Sequence, residues 1–325
     1  MAASSATPAH ARTCQALTDD GKPCTSKPSP GLPYCRKHAG PLAPGKAVTS
    51  REFLEEWRAS VERAVSRRVN RRPLNRSYDE DLVAALIPLA EPWYRLYWRV
   101  DVEGVEHIPN EGAAILASNH SGTIPIDGAM LKVAVLREHG RNPWLLAADL
   151  VFRFPGLREL TRLAGNARAD RKETIDLLKR GELVGVFPEG FKGIGKGWRK
   201  RYQLQRFGRG GFVEMAMEVG CPIIPVAIVG AEEAYPMIAN VKPIAAVLDL
   251  PYFPITPFFP LLGPLGVVPL PSKWIIAFGE PVPMSQYGPD AVDDTQLVLE
   301  ISEDIRRRVQ HMLAELLAKR HNAFL

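Results

Sequence analysis

Asn119-His120 and, seven residues later, Asp127 stand where a run of small apolar residues breaks into Ser121-Gly122-Thr123 and then Pro125. An imidazole delivered to the end of a strand, beside a carboxylate that fixes its tautomer and stabilises its protonated form, is equipment for general-base chemistry. Ala114, Ile115 and Leu116 read as a strand buried on both faces. Gly122 and Pro125 then punctuate a tight turn into a helix, whose dipole favours Asp127 in its first turn. A lone loop histidine hydrogen-bonded to an aspartate as plain scaffold fits the same residues. A second stretch, Leu183 to Lys192, is another apolar strand that runs into Pro188-Glu189-Gly190 and the basic Lys192.

Taken in order, four blocks resemble the glycerolipid acyltransferases of the PlsC or lysophosphatidic-acid type. They are Asn119-His120 with Asp127, Gly165 to Arg171, Phe187-Pro188-Glu189-Gly190-Phe191-Lys192, and Cys221-Pro222-Ile223-Ile224-Pro225-Val226. By that resemblance His120 is the general base, Asp127 orients it, and Glu189 and Gly190 shape the acceptor site. Arg171 and Lys192 match the positions that bind an acceptor phosphate, and Arg168 is an added candidate. The implied co-substrate is an acyl-CoA or acyl carrier protein thioester, and the implied acceptor a glycerolipid hydroxyl such as that of lysophosphatidic acid. Three departures stand out: six residues rather than four separate His120 from Asp127, Phe191-Lys192 replaces Thr-Arg, and Arg168-Ala169 replaces Phe-Ile. The longer turn looks more like the diacylglycerol or monoacylglycerol acyltransferase-like branch, whose acceptors are neutral. No Gly-x-Ser-x-Gly elbow occurs, so direct attack by the acceptor is expected; an acyl-enzyme on Ser121 is the competing route.

The elements that must position these residues follow from periodicity. Strands alternating with helices predict an α/β fold with a mainly parallel sheet covered on both faces, and ligands at the carboxyl ends of its strands. Strands are expected at Arg99–Val105, Ala113–Ser118, Trp144–Ala148, Leu183–Val186, Ile223–Val229 and Trp274–Phe278, with helices near 126–138, 152–163, 171–180 and 211–219. A helix from Asp79 to Arg95 should kink or break at Pro88 and Pro92. Asp294 caps a last helix with Val298, Ile301, Ile305, Val309, Met312 and Leu316 on one stripe. The domain plan is residues 1–13 disordered, 14–38 a metal motif, 39–49 a linker, 50–96 N-terminal helices, 97–285 the acyltransferase domain and 286–325 the C-terminal helix.

Within 14–38, Cys14, Cys24, Cys35 and His38 supply three thiolates and an imidazole in a segment almost without apolar residues. That donor set suits a structural zinc ion, and the spacing is similar to WRC-type zinc motifs. A closed four-ligand site has no open position, so it carries no catalysis. Forty-one Lys and Arg against 36 Asp and Glu give a net charge of +5. That suits phosphorylated substrates or an anionic surface better than a dedicated nucleic-acid binder. A zinc-dependent adaptor, binding nucleic acid or protein on a degenerate acyltransferase body, is the alternative class. The first residues lack an apolar signal region, and the cysteine usage suits a reducing compartment, so a cytoplasmic enzyme lying peripherally on the membrane is expected.

No stretch reaches the length of a spanning helix; Leu250–Ser272 comes nearest and contains seven prolines. It either dips Phe253, Phe258, Phe259, Leu261 and Leu262 into a headgroup boundary or packs as a long loop. The basic runs at Arg67–Arg76 and Lys192–Arg209 are either anion-gripping or solvated.

Overall fold

The computed structural model describes residues 51, 54–55, 57–59, 78, 80–152 and 155–324. The readings for Cys14, Cys24, Cys35, His38, the linker and the arginines at 67–76 lie outside them. Helical residues at 51, 54–55 and 57–59 precede α1 (Glu80–Glu91), which continues through Pro88 and passes at Pro92 into a π-helix, Pro92–Tyr97. There follow β1 (Asp101–Glu103), β2 (Ala114–Ser118), α2 (Ile126–Glu138), β3 (Pro143–Ala147), α3 (Pro155–Leu163), β4 (Asn166–Arg168), α4 (Arg171–Lys179), β5 (Leu183–Val186), α5 (Gly211–Val219) and β6 (Ile223–Val229). A two-stranded ribbon, β7 (Ala239–Asn240) with β8 (Pro254–Ile255), precedes β9 (Ile275–Phe278) and the 25-residue α6 (Thr295–Lys319).

The sheet order is β1-β9-β6-β2-β5-β3-β4. Every pairing is parallel except β6 with β9, where Val226 faces Phe278 and Val229 faces Ile275. A mainly parallel sheet flanked by helices is the expected architecture. Alternating side chains divide the core in two. Ile115, Ala117, Val184, Val186, Ile223 and Ala227 pack under α4, α5 and α6. Ala114, Leu116, Leu183, Ile224, Val226 and Ile228 pack under α2 and the Tyr94–Trp98 turn. Burying one such Leu or Ile side chain contributes about 1.5–3 kcal/mol. Lys132 of α2 is buried among four oxygens, those of Asn142, Pro143, Ala164 and Gly165 at 2.7–2.9 Å, and ties α2 to the β3–β4 edge. Burial pushes its pKa down to about 7.

Several elements differ from the sequence reading. The first strand is cut to Asp101–Glu103 because Gly104 adopts a left-handed φ of 72° and opens a 3-10 turn. The helix expected near 152–163 is two, Asp149–Phe152 and α3. Asn166–Arg168 is a strand at the sheet edge, too short for periodicity to announce. On α6, Leu313 takes the buried place expected of Met312, the phase a 3.6-residue repeat gives after Val309. Asp294 caps that helix, accepting from Leu297 N at 3.0 Å.

A Cβ on Gly104 would sit 2.1 Å from the Phe278 carbonyl oxygen. With the strained φ added, Gly104→Ala is expected to cost about 2–4 kcal/mol, read as a lower urea midpoint.

Candidate active site

His120 leaves the carboxyl end of β2, the central strand, beside the last residues of β6, which runs on to Val229. Asn119 extends the pairing by clamping β6: its Nδ2 donates to Ile228 O at 3.0 Å and its Oδ1 accepts from Ile228 N at 2.7 Å. The chain then reverses through Gly122, whose φ of 80° and closeness to Ala231 O (2.9 Å from a Cβ placed there) leave no room for a side chain. The turn, buried from Ser121 to Thr123, is stapled from two sides. Thr123 Oγ1 donates to Tyr235 O at 2.9 Å, and the Tyr252 hydroxyl donates to Thr123 O. Asp127 is thereby returned to the ring, with His120 Nδ1 2.7 Å from its Oδ2.

The Asp127 side chain is 0% exposed. It also accepts from Ser121 N and Gly128 N, both at 2.8 Å. Three N–H donors therefore replace the water it lost. With a carboxylate on Nδ1, that nitrogen carries the proton and Nε2 presents a lone pair. Nε2 has no hydrogen-bond partner among the described residues. The ring lies flat on Phe187, centroids 4.4 Å apart and planes inclined by 29°.

Glu189, from the carboxyl end of the adjacent β5, is buried beneath this turn. Its Oε1 accepts from His120 N at 2.9 Å, and its Oε2 from Gln205 N at 2.6 Å. Lys196 Nζ lies 3.6 Å from Glu189 and 3.0 Å from Glu232. Burial raises the pKa of Glu232, opposed by Lys196. Glu189 thus braces the backbone of the histidine, and its ion-pair neighbour is Lys196 rather than Lys192. Gly190 has φ 55° and ψ −146°, territory that glycine occupies, with no protein atom within 4 Å of an added Cβ. At Gly193 an added Cβ would meet His120 O at 2.7 Å, so the short helix Phe191–Ile194 rests directly on the histidine.

His120, Asp127, Glu189 and Gly190 therefore converge at the carboxyl ends of β2 and β5, with Lys192 exposed beside them. Arg168 and Arg171 lie at the end of β4, three strand spacings or about 14 Å from β2. Arg168 pairs with Asp149 at 2.5 Å and Arg171 with Glu218 at 2.9 Å. Ser121 is fully buried and its Oγ has no partner, so the hydroxyl does not face incoming thioester. Lys196, read as part of a surface basic run, is an interior ion-pair residue. Cys221 is buried, and burial pushes its thiol up to about 11. Sequence reasoning missed Phe187 as the stacking platform and Tyr252 as the staple on the turn. The Phe-Pro-Glu-Gly block pointed toward the first; nothing local pointed to the second. Among the described residues no cluster of metal-ligating side chains occurs.

The acyltransferase family profile matches residues 99–229, which hold both His120 and Glu189. A protein of Mycobacterium tuberculosis, described as uncharacterized, is 49% identical over 250 residues, covering 76% of this chain and 70% of its own. The human DGAT1/2-independent enzyme synthesizing storage lipids is 24% identical over 213 residues, covering 66% of this chain and 60% of its own. The crystal structure of the 1-acyl-sn-glycerophosphate acyltransferase PlsC from Thermotoga maritima superposes with a TM-score of 0.51 at 18% identity, covering 83% of this chain and 95% of that one. The last is a likeness of fold. The chain belongs to the acyltransferase family and is an acyltransferase built on the fold of PlsC.

Proposed function

We propose that the protein transfers a fatty acyl group from an acyl-CoA or acyl carrier protein thioester to a glycerolipid hydroxyl, with His120 as general base. The observation that carries this reading is the bare Nε2 of an imidazole whose Nδ1 is held 2.7 Å from a buried Asp127. Nε2 takes the proton as the acceptor oxygen attacks the thioester carbon; the C–O bond forms, the C–S bond breaks, and the departing thiolate recovers the proton. Asp127 holds the ring and stabilises the imidazolium, while Glu189 and Gly193 fix the loop that carries it. The open space at Gly190 is the side from which the acceptor approaches.

The acceptor itself has two readings. Lysophosphatidic acid would use Lys192 with Arg171 and Arg168. A neutral glycerolipid is favoured by the acidic partners that both arginines already hold and by the likeness to storage-lipid enzymes. Cys14, Cys24, Cys35 and His38 form in the same reading a structural zinc site apart from the transfer. The enzyme works peripherally on the cytoplasmic face of a membrane, where its acceptors reside.

His120→Ala is expected to lower kcat by about a thousandfold or more with an unchanged circular dichroism spectrum; Asp127→Asn lowers it by about a hundredfold or more. Wild-type-like turnover by the first variant overturns the assignment. Ser121→Ala retains turnover and stability, and mass spectrometry during turnover finds no acyl adduct; an adduct on Ser121 restores the two-step route. A panel of labelled acceptors with and without phosphate decides between the readings: no advantage for phosphate-bearing acceptors removes the roles of Arg168, Arg171 and Lys192.

A further inference from the structure

We propose that residues 237–270, extended by one side of α1 and its π-helix, form a face that docks flat on an anionic lipid bilayer and opens the His120 site to lipids held there. The inference deepens the acyltransferase reading by naming the surface through which its acceptor arrives.

Topology sets the position. β6 ends at Val229 on the edge where His120 emerges, and β9, being antiparallel, starts at Ile275 on that same edge. Everything between is therefore an excursion built on the catalytic side of the sheet. Residues 238–268 contain two charged side chains, Lys242 and Asp249. Yet Val247, Leu261, Leu265 and Ile238 are 85%, 84%, 71% and 63% exposed. Aliphatic surface concentrated in this way marks a contact site.

The excursion is anchored, not loose. Tyr235 Oη donates to Val267 O at 2.7 Å, and Tyr252 reaches the catalytic turn at Thr123. Tyr97 Oη donates to Pro269 O at 2.5 Å, bringing in the helix on which Leu89, Trp93 and Leu96 lie exposed at i, i+4 and i+7. Trp93 packs edge-on to Tyr97 with centroids 5.0 Å apart. A tryptophan at the border of aliphatic surface suits the interfacial zone of a bilayer. On the other flank Trp198 N donates to Met237 O at 2.7 Å, which sets the exposed Arg199, Lys200 and Arg201 beside Ile238.

An apolar centre with a basic flank is complementary to acyl chains beneath anionic headgroups. No helix among the described residues is long and apolar enough to cross a membrane, so the face lies in the interfacial layer.

Flotation of the full chain with vesicles of phosphatidylcholine and phosphatidylglycerol tests this. Wild type and His120→Ala are expected to float, less in high salt. The double variant Leu261→Asp, Leu265→Asp, with an unchanged melting profile, is expected to partition about a hundredfold less. Ile238→Glu with Val247→Glu reads the other end of the face should the first pair fail to fold. Wild type remaining unbound, variants floating equally, or light scattering that finds a dimer dissolved by the variants each overturns the inference. Failure of flotation beside turnover of a monodisperse short-chain acceptor sinks the docking face alone. Flotation without turnover of any acceptor sinks the acyl-transfer reading alone.

Discussion

The contact between His120 and Asp127 governs how this edge of the sheet is built. A carboxylate with no exposed side-chain surface is costly unless its lone pairs are filled. Here the imidazole fills one, and the amides of Ser121 and Gly128 fill others. The shape of the turn is thus also the solvation shell of the aspartate. Any conformation that moves the ring away leaves a buried charge undersaturated, which gives the turn a single low-energy arrangement. The six-residue turn is held because Tyr235 and Tyr252 accept from and donate to Thr123 without hydrogen-bonding the acidic group.

Beneath the turn lies a second polar layer, Glu189, Lys196 and Glu232, three buried charged side chains in line. Such chains contribute little net stability, since desolvation offsets most of the attraction. Their gain is positional. Glu189 bridges His120 N and Gln205 N, and Glu232 accepts from Tyr202 N at 2.9 Å, so segments distant in sequence are locked in one register. Tyr202 in turn donates its hydroxyl to Glu233, which Arg320 reaches at 2.6 Å from the end of α6. The carboxyl terminus of the chain is in this way connected to the floor of the site.

What the amino-acid order disclosed depended on the range of the force involved. Ala114–Ser118, Leu183–Val186 and Ile223–Val229 are apolar on both faces, and their strands follow from local composition. His120 with Asp127 and the Pro-Glu-Gly corner were visible as residue types at strand ends. Orientation was not. Whether Glu189 faces substrate or its own loop depends on Gln205 and His120, which are 16 and 69 residues away. Lys196 sits in a basic run, and it turns inward to two buried carboxylates, Glu189 and Glu232, distant in sequence or on another element. Asn166–Arg168 is too short to show a period, and its pairing with β3 is a tertiary fact. The choice of Leu313 over Met312 is one residue of helical phase, beyond what a six-residue stripe resolves.

The reversal of β9 separates two kinds of change that a sequence can undergo. Chain that departs and returns on one rim can be lengthened, shortened or recoloured in polarity without shifting the register of any parallel strand. The histidine turn is fastened to it at Thr123 by Tyr235 and Tyr252, and Glu232 from its first residues supports the layer beneath. Among the described hydrogen bonds, the part of this excursion beyond Tyr235 holds the histidine turn through Tyr252, so its outer surface can be re-addressed to a different environment while the His120–Asp127 contact is inherited intact.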